Sequence, residues 1–321
     1  MVTKSNKQLF LDALQNRTLG HKVPLWELTF HLWKQYDPSF KTGPEFFALS
    51  EEEKIEAVKN NARIMKKVGE ELGFGCVSIP DGPWDCIYTL HHEHRIMLIR
   101  ELKALDPDFA IAGGCNGILF MPSSCDSYLD FCYWIMDEPE EVDEHCIKYY
   151  DSFTKSVTEL IDAGLDVVFM PADVADNRTT FFNREQLDRW YLPYLKKSVE
   201  FLHERGIPSI LHTDGNVSTI LEDIRDSGVD ALQAIDPIAG MSIGKTLEVF
   251  DGKSAACGNF DCALMLSGTP EEVYESAKEI LLTNKNKPGF IFGNSNAVVL
   301  ETPLENYHAM IKAWNDFGNI E

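Results

Sequence analysis

The chain has 321 residues, 44% apolar and 25% charged, with a net charge of −22. That acidity argues against nucleic acid, whose phosphates demand a basic face, and against an anionic membrane surface. No run approaches the ~20 apolar residues of a membrane span.

The opening "MVTKSNKQLFLDALQNRTLG" reads as a polar, then amphipathic, helix and not as a signal peptide. The eight cysteines, at 76, 86, 115, 125, 132, 146, 257 and 262, form no C-x-x-C pair, so no zinc ribbon or thioredoxin-type site is signalled. The expectation is a cytoplasmic protein with buried free thiols.

In chain order, "VPLWEL" (23–28) predicts a strand. Ser50 with Glu53 three residues on is a capping-box signature and opens a helix over 51–72. "FGCVSIP" (74–80) predicts a strand. The stretch 81–106 is less regular, a hairpin or a strand plus helix. Within it "HHEH" (91–94) has neither a helical nor an extended ligand spacing and is read as surface. A strand follows at 109–115, then a helical zone at 116–134, a long helix over 139–163, a strand at 166–171 and a helix over 184–205. The second half alternates short apolar runs with amphipathic ones. Gly206, Gly228, Gly252 and Gly318 stand where helices end.

The expected strands are 23–28, 75–80, 109–114, 166–170, 208–212, 231–235, 254–257 and 289–293. Repeated strand–helix units imply a parallel sheet. Eight of them imply an α/β fold of the (β/α)8 TIM-barrel type. An open doubly wound sheet is the alternative, but no G-x-G-x-x-G follows the first strand.

In such barrels the chemistry gathers at the C-terminal strand ends. "LHTDGN" (211–216) sits at one of them. Side chains two apart in an extended segment point the same way, so His212 and Asp214 share a facing. They could bind a metal, move a proton or cap the next helix. The other strand ends offer Trp26, Glu27 and His31; Asp81 and Asp85; Asp173 and Asp176; Asp236; Cys257 and Asn259; and Asn294, Ser295 and Asn296. Acids and amides therefore cluster at one rim, and burying several carboxylates without purpose is costly. Trp26, Phe30, Trp84, Phe120, Phe181 and Phe182 supply an apolar lining.

From about 138 onward, "DEPEEVDEHC", "FFNREQLDRWYLPYLKKSVEFLHERGIPSILHTDGN", "ACGNFDCALMLSGTPEEVYESAKEIL" and "GFIFGNSNAVVLETPLENYHAMIKA" resemble the signature segments of the uroporphyrinogen decarboxylase superfamily. "NRTLGHKVPLWEL" is similar too. The resemblance implies one barrel domain over 1–321. True decarboxylases of the family carry an R-Q-A-G-R-Y segment after strand 1, whose arginines hold propionates as paired charged donors. The matching stretch here is "TFHLWKQYDP", with Lys34 and no arginine. The decarboxylases' strand-2 Asp matches Asp81, and their strand-8 His falls on Asn296.

The corrinoid-dependent methyltransferases of the superfamily hold zinc with an H-x-C pair after strand 5 and a Cys after strand 8. Those positions fall on His212, Asp214 and Asn296, with Cys257 one strand away. The loop "PADVADNRTTFF" looks more like the methyltransferase-like members.

The resemblance therefore implies methyl transfer between a small methylated substrate or thiol and a corrinoid carried by a partner protein, assisted by zinc or another divalent metal. His212, Asp81 and Asp173 are the expected catalytic residues. Trp26, Glu27, Trp84, Asp176, Phe182, Asn259 and Asn296 are expected to line the substrate site. His212, Asp214 and Cys257 are expected to hold the metal. Loops 171–183, 236–243 and 294–301, with Asp173, Asp176, Asp236 and Glu301, would form an open acidic rim for the partner. No nucleic-acid or membrane partner is expected, and a homodimer is left open. A tetrapyrrole or small-acid decarboxylase and a non-catalytic binding barrel are the two other readings.

Overall fold

A computed structural model describes residues 4–80, 87–122 and 125–320. Seven strands form one all-parallel sheet in sequence order: β1 (Val77–Ser78), β2 (Ile111–Gly114), β3 (Val167–Pro171), β4 (Ser209–His212), β5 (Ala231–Ala234), β6 (Ala255–Gly258) and β7 (Phe290–Ile291). Parallel neighbours need crossovers, and helices supply them. Before β1 come α1 (Asn6–Leu11), α2 (Trp33–Tyr36), α3 (Gly43–Phe47) and α4 (Glu51–Leu72). α5 (His92–Leu105) leads to β2, and α6 (Cys125–Asp137) with α7 (Pro139–Ala163) to β3. Then follow α8 (Arg184–Gln186), α9 (Leu192–His203), α10 (Leu221–Asp226), α11 (Ile243–Phe250), α12 (Cys262–Ser267), α13 (Pro270–Asn284) and, after β7, α14 (Leu304–Phe317). No helix among the described residues is long and apolar enough to cross a membrane.

Alternation along each strand sorts the core into two layers. Ala112, Val167, Phe169, Ile210, Ala231, Ala255, Cys257 and Ile291 share one cluster on the concave face. Val77, Ile111, Val168, Met170, Leu211, Leu232 and Ala256 face the helices in the other. The concave cluster also takes Phe10, Ala13 and Leu14, so the N-terminal segment plugs one end of the sheet. The opposite end, where the strands finish, stays polar.

Several elements differ from their sequence reading. Segment 23–28 is not a continuous strand. It makes one parallel bridge, Leu25 to Phe292, with Trp26 N–H donating to Phe292 O (3.0 Å) and Gly75 N–H to Leu25 O (2.9 Å). Pro24 has no N–H for a longer ladder. The 75–80 strand is reduced to Val77–Ser78, and Pro80 likewise cannot extend it. Within 81–106, open to either a hairpin or a strand plus helix, residues 92–105 are helix. The helical zone starts at Cys125, later than expected; at its expected start Asn116 instead folds its amide back onto Ile118. The Ser50–Glu53 capping box is present. Gly206, Gly228 and Gly252 are left-handed, as helix-terminal glycines should be, but Gly318 is right-handed at φ −73°. It is glycine for space: a Cβ there would lie 2.5 Å from the Trp314 carbonyl.

Candidate metal centre at the strand ends

β4 delivers His212 to the polar end of the concave face, continuing the inward parity of Ile210. Its Nδ1 meets Gln233 Oε1, the neighbour in register on β5. Gln233 is 1% exposed, and its Nε2 donates to the carbonyls of Asn294 (3.2 Å) and Ser295 (3.1 Å). Carbonyls only accept, so the amide nitrogen must face them and Oε1 must face the imidazole. His212 therefore carries its proton on Nδ1 and presents a lone pair at Nε2.

That lone pair looks towards two acids. Asp173 Oδ1 lies 3.8 Å and Asp214 Oδ1 4.0 Å from His212 Nε2. These separations exceed a hydrogen bond, yet they are close to the roughly 3.4 Å edge of a tetrahedron with bonds near 2.1 Å. One donor atom from each of the three residues lies within 4.8 Å of the others.

Hydrogen bonds fix both acids. Asp173 Oδ1 accepts the Asp214 N–H (3.0 Å), and Asp214 Oδ2 accepts Asn296 Nδ2 (2.6 Å). Gly215, at φ +85°, lets this turn lie against the preceding loop, where a Cβ would come within 2.5 Å of the Asp176 carbonyl. Burial raises the Asp214 pKa; His212 opposes the shift, while Asp173 and Asp236 add to it. A divalent cation would relieve this crowding of negative charge, so the three residues fit a metal of the zinc type.

The strand ends around the cluster carry unusual backbone. Of the five non-glycine residues with positive φ among those described, Ala234, Ile235 and Asn259 follow one another around β5 and β6. Such conformations persist where surrounding structure holds them. Here the Asn259 amide donates to Ile235 O at 2.6 Å.

Other expected site residues go elsewhere. Cys257 is fully buried on β6, in register with Gln233, which stands between it and His212. Burial pushes its thiol pKa far up, and it does not join the cluster. Glu27 turns outward to α14, accepting from Asn294 N (2.9 Å), Asn294 Nδ2 (3.2 Å) and Tyr307 OH (3.1 Å). Trp26 is buried between Phe10 and Phe169 in the concave core and donates to Ser78 Oγ. Asp176 is exposed and accepts the Arg178 and Thr179 N–H groups, as a turn former. Phe182 is buried against Phe131 but borders a cleft of about 420 Å³ with Thr180, Arg184 and Thr219. Phe30 packs on Trp33, Phe74 and Tyr307. Asp81 and Trp84 lie outside the described residues, as does Asp85.

Two participants were missed in the sequence. Gln233 is the lone polar residue of "ALQA", which should have flagged it. Cys262 Sγ accepts the Asn296 N–H (3.2 Å) and touches Ser295 Oγ (3.5 Å), and burial pushes its pKa up to about 11. No spacing announces it, because the contact spans 34 residues of chain.

A family model described as uroporphyrinogen decarboxylase (URO-D) matches residues 92–317. A methylated-thiol–coenzyme M methyltransferase of Methanosarcina mazei is 32% identical over 66% of this chain and 52% of its own length. The methylcobamide:CoM methyltransferase MtbA of Methanosarcina acetivorans is 20% identical over 72% of this chain and 66% of its own. A uroporphyrinogen decarboxylase of Carboxydothermus hydrogenoformans is 24% identical over 60% and 53%. The chain thus spans about half the length of most curated relatives it matches. A solved methyltransferase from Methanosarcina mazei superposes with a TM-score of 0.74 at 20% identity, covering 98% of this chain and 99% of that one.

Proposed function

The chain belongs to the uroporphyrinogen decarboxylase family, and on that premise we propose that it is a methyltransferase working with a cobalt corrinoid held by a separate protein. The observation that carries this reading is the His212 tautomer: Gln233 leaves the Nε2 lone pair facing two carboxylates. We propose that His212, Asp214 and Asp173 hold a divalent metal there. When bound, the metal would act as a Lewis acid on the oxygen or sulfur that carries or receives the methyl group. We also read Val23–Leu28 as the eighth stave that closes the curled sheet into a barrel, one domain over the whole chain. Its contacts to both Phe292 and Gly75 support this.

The chain's own residues do the positioning. Gln233 fixes the imidazole tautomer and ring angle, and Asn296 holds Asp214 by its outer oxygen, so that its inner oxygen stays turned to His212. Asp173, Asp214 and Asp236 keep this mouth acidic. A small neutral or cationic methylated compound suits it better than a multiply anionic one. The partner reading follows from the same charge: a corrinoid protein docking at the mouth would bring a complementary surface and bind less tightly as salt rises.

Decarboxylation of a polyanionic tetrapyrrole is less well supported. The single cation of the 29–38 stretch, Lys34, is already paired with Glu45 at 2.5 Å. Elemental analysis of the purified protein and of His212→Ala tests the metal reading. Methyl transfer from candidate donors to free cob(I)alamin tests the reaction. Equal, negligible metal in both proteins would leave His212 as an acid–base group and overturn the metal-assisted route.

A further inference from the structure

The "HHEH" stretch finds no use in the site above, and the structure treats it differently from a solvated run of polar residues. His91 is the N-cap residue of α5 and Glu93 and His94 fall in its first turn, as His94 N–H donates to His91 O. Glu93 Oε1 lies 3.7 Å from His91 Nδ1 and 3.8 Å from His94 Nδ1. The three donor atoms lie within 4.8 Å of one another. We propose that His91, Glu93 and His94 form a second divalent transition-metal site, at the start of α5 and separate from the His212 cluster.

The second observation is His94 itself. It is 4% exposed, yet its Nδ1 has no hydrogen-bond partner. An orphaned buried nitrogen is costly unless something occupies it. The atom left unpartnered is the one that faces Glu93 and His91. Aromatic rings hold both imidazoles: Phe46 meets His94 edge-on at 5.0 Å, and Phe47 stacks on His91 at 4.4 Å. Both rings come from α3, so the donors are positioned by a neighbouring element and not by the loop alone.

The chemistry is consistent. A neutral imidazole is the form that ligates metal. The 3.7 and 3.8 Å spacings approach the roughly 3.4 Å donor separation of a tetrahedral zinc site. Two imidazoles and one carboxylate suit zinc or cobalt better than calcium or magnesium. A helix N-terminus disfavours a cation, and the Glu93 and Glu51 carboxylates offset that field. Three protein donors leave a fourth position for water. His91 also borders a cavity of about 540 Å³ lined by Arg95, Asn116 and Tyr149, so that position can exchange.

The test is equilibrium dialysis of the full chain against Zn²⁺ and, for its coordination spectrum, Co²⁺. His91→Gln and Glu93→Gln alter exposed side chains and keep the fold. His94→Gln removes the buried donor. Each should weaken one class of site by more than about 10-fold, while His212→Ala leaves that class intact and His92→Gln, whose ring pairs with Glu159, changes nothing. If no metal depends on His212 but one equivalent still depends on His91 and Glu93, the reading of the strand-end site fails and this one stands. Binding indifferent to Glu93→Gln and His94→Gln would overturn it, reducing the stretch to surface histidines.

Discussion

Glu27, buried beside β7, and Asp214, half-buried just past β4, are both carboxyl groups of the curled sheet, and the protein treats them in opposite ways. Glu27 is 2% exposed and receives three donors, from Asn294 N, Asn294 Nδ2 and Tyr307 OH. No like charge is among the influences on it, and burial alone pushes its pKa up to about 7. Asp214 receives one side-chain donor, Asn296, and faces His212, with Asp173 and Asp236 adding negative charge. One carboxyl is sealed into the wall by hydrogen bonds; the other is crowded by its own kind beside an imidazole lone pair. Burial is therefore a poor marker of a site. A carboxylate short of donors, among other carboxylates, is a better one, because only a cation or a proton completes it.

The sharpest way to break this comparison is to remove the ligand that Asp214 faces. His212→Ala should strip the strand-end metal and lower methyl transfer by more than about 100-fold, beyond the 10- to 100-fold typical of losing a supporting partner. Metal content and initial rates check it. Glu27 should behave in the contrary manner, affecting stability and leaving metal binding alone. Its carboxyl titrates near 4.5 when unfolded and about 7 when folded. Between those values the native protein retains a proton that the unfolded chain has released. Its contribution is therefore fully present below pH 4.5 and is lost as pH rises to 7, amounting to about 3 kcal/mol. Glu27→Gln should flatten that part of the stability profile, measured by urea unfolding at pH 4.5 and pH 8. An unchanged slope would mean that Glu27 ionises normally in the wall.

Periodicity made the strand–helix order and most of the sheet legible, since alternation in strands and caps at helices are local signals. The pairing of His212 with Asp214 was legible for the same reason: two residues apart on an extended segment is a local fact. The facing of Glu27 was not, because "LWEL" does not say which side meets a helix 280 residues away. Cys257 misled for a related reason. Its strand end was correctly placed, but the in-register neighbour that blocks it, Gln233, lies on another strand. "HHEH" was set aside on spacing alone. What gives it shape is α3, whose rings pack against it from outside the motif.

Gln233 gives a finer test, because it touches His212 without reaching the acids. Gln233→Leu keeps the volume and removes both the acceptor for Nδ1 and the donors to Asn294 and Ser295. Freed of its acceptor, the imidazole can take the other tautomer and present a proton where the lone pair was. Metal affinity should fall about 10- to 100-fold, with the fold retained by circular dichroism. Gln233→Glu should recover part of that loss, since a carboxylate still accepts from Nδ1–H. No change in either variant would mean that the tautomer is set by something other than Gln233.

The smallest effect belongs to Asp176, which the sequence grouped with the site and the structure groups with the turn. Its carboxylate accepts two backbone N–H groups of its own loop, and this lowers its pKa. An asparagine oxygen can accept the same bonds. Asp176→Asn should thus leave metal content and transfer to free cobalamin unchanged. Asp173→Asn, three residues earlier, should lower both, because its oxygen faces His212. Parallel measurements on the two variants separate charge at the mouth from placement at the centre. Equal losses would show that the rim acts through its total negative charge, and the distinction drawn between Glu27 and Asp214 would then extend no further than the wall.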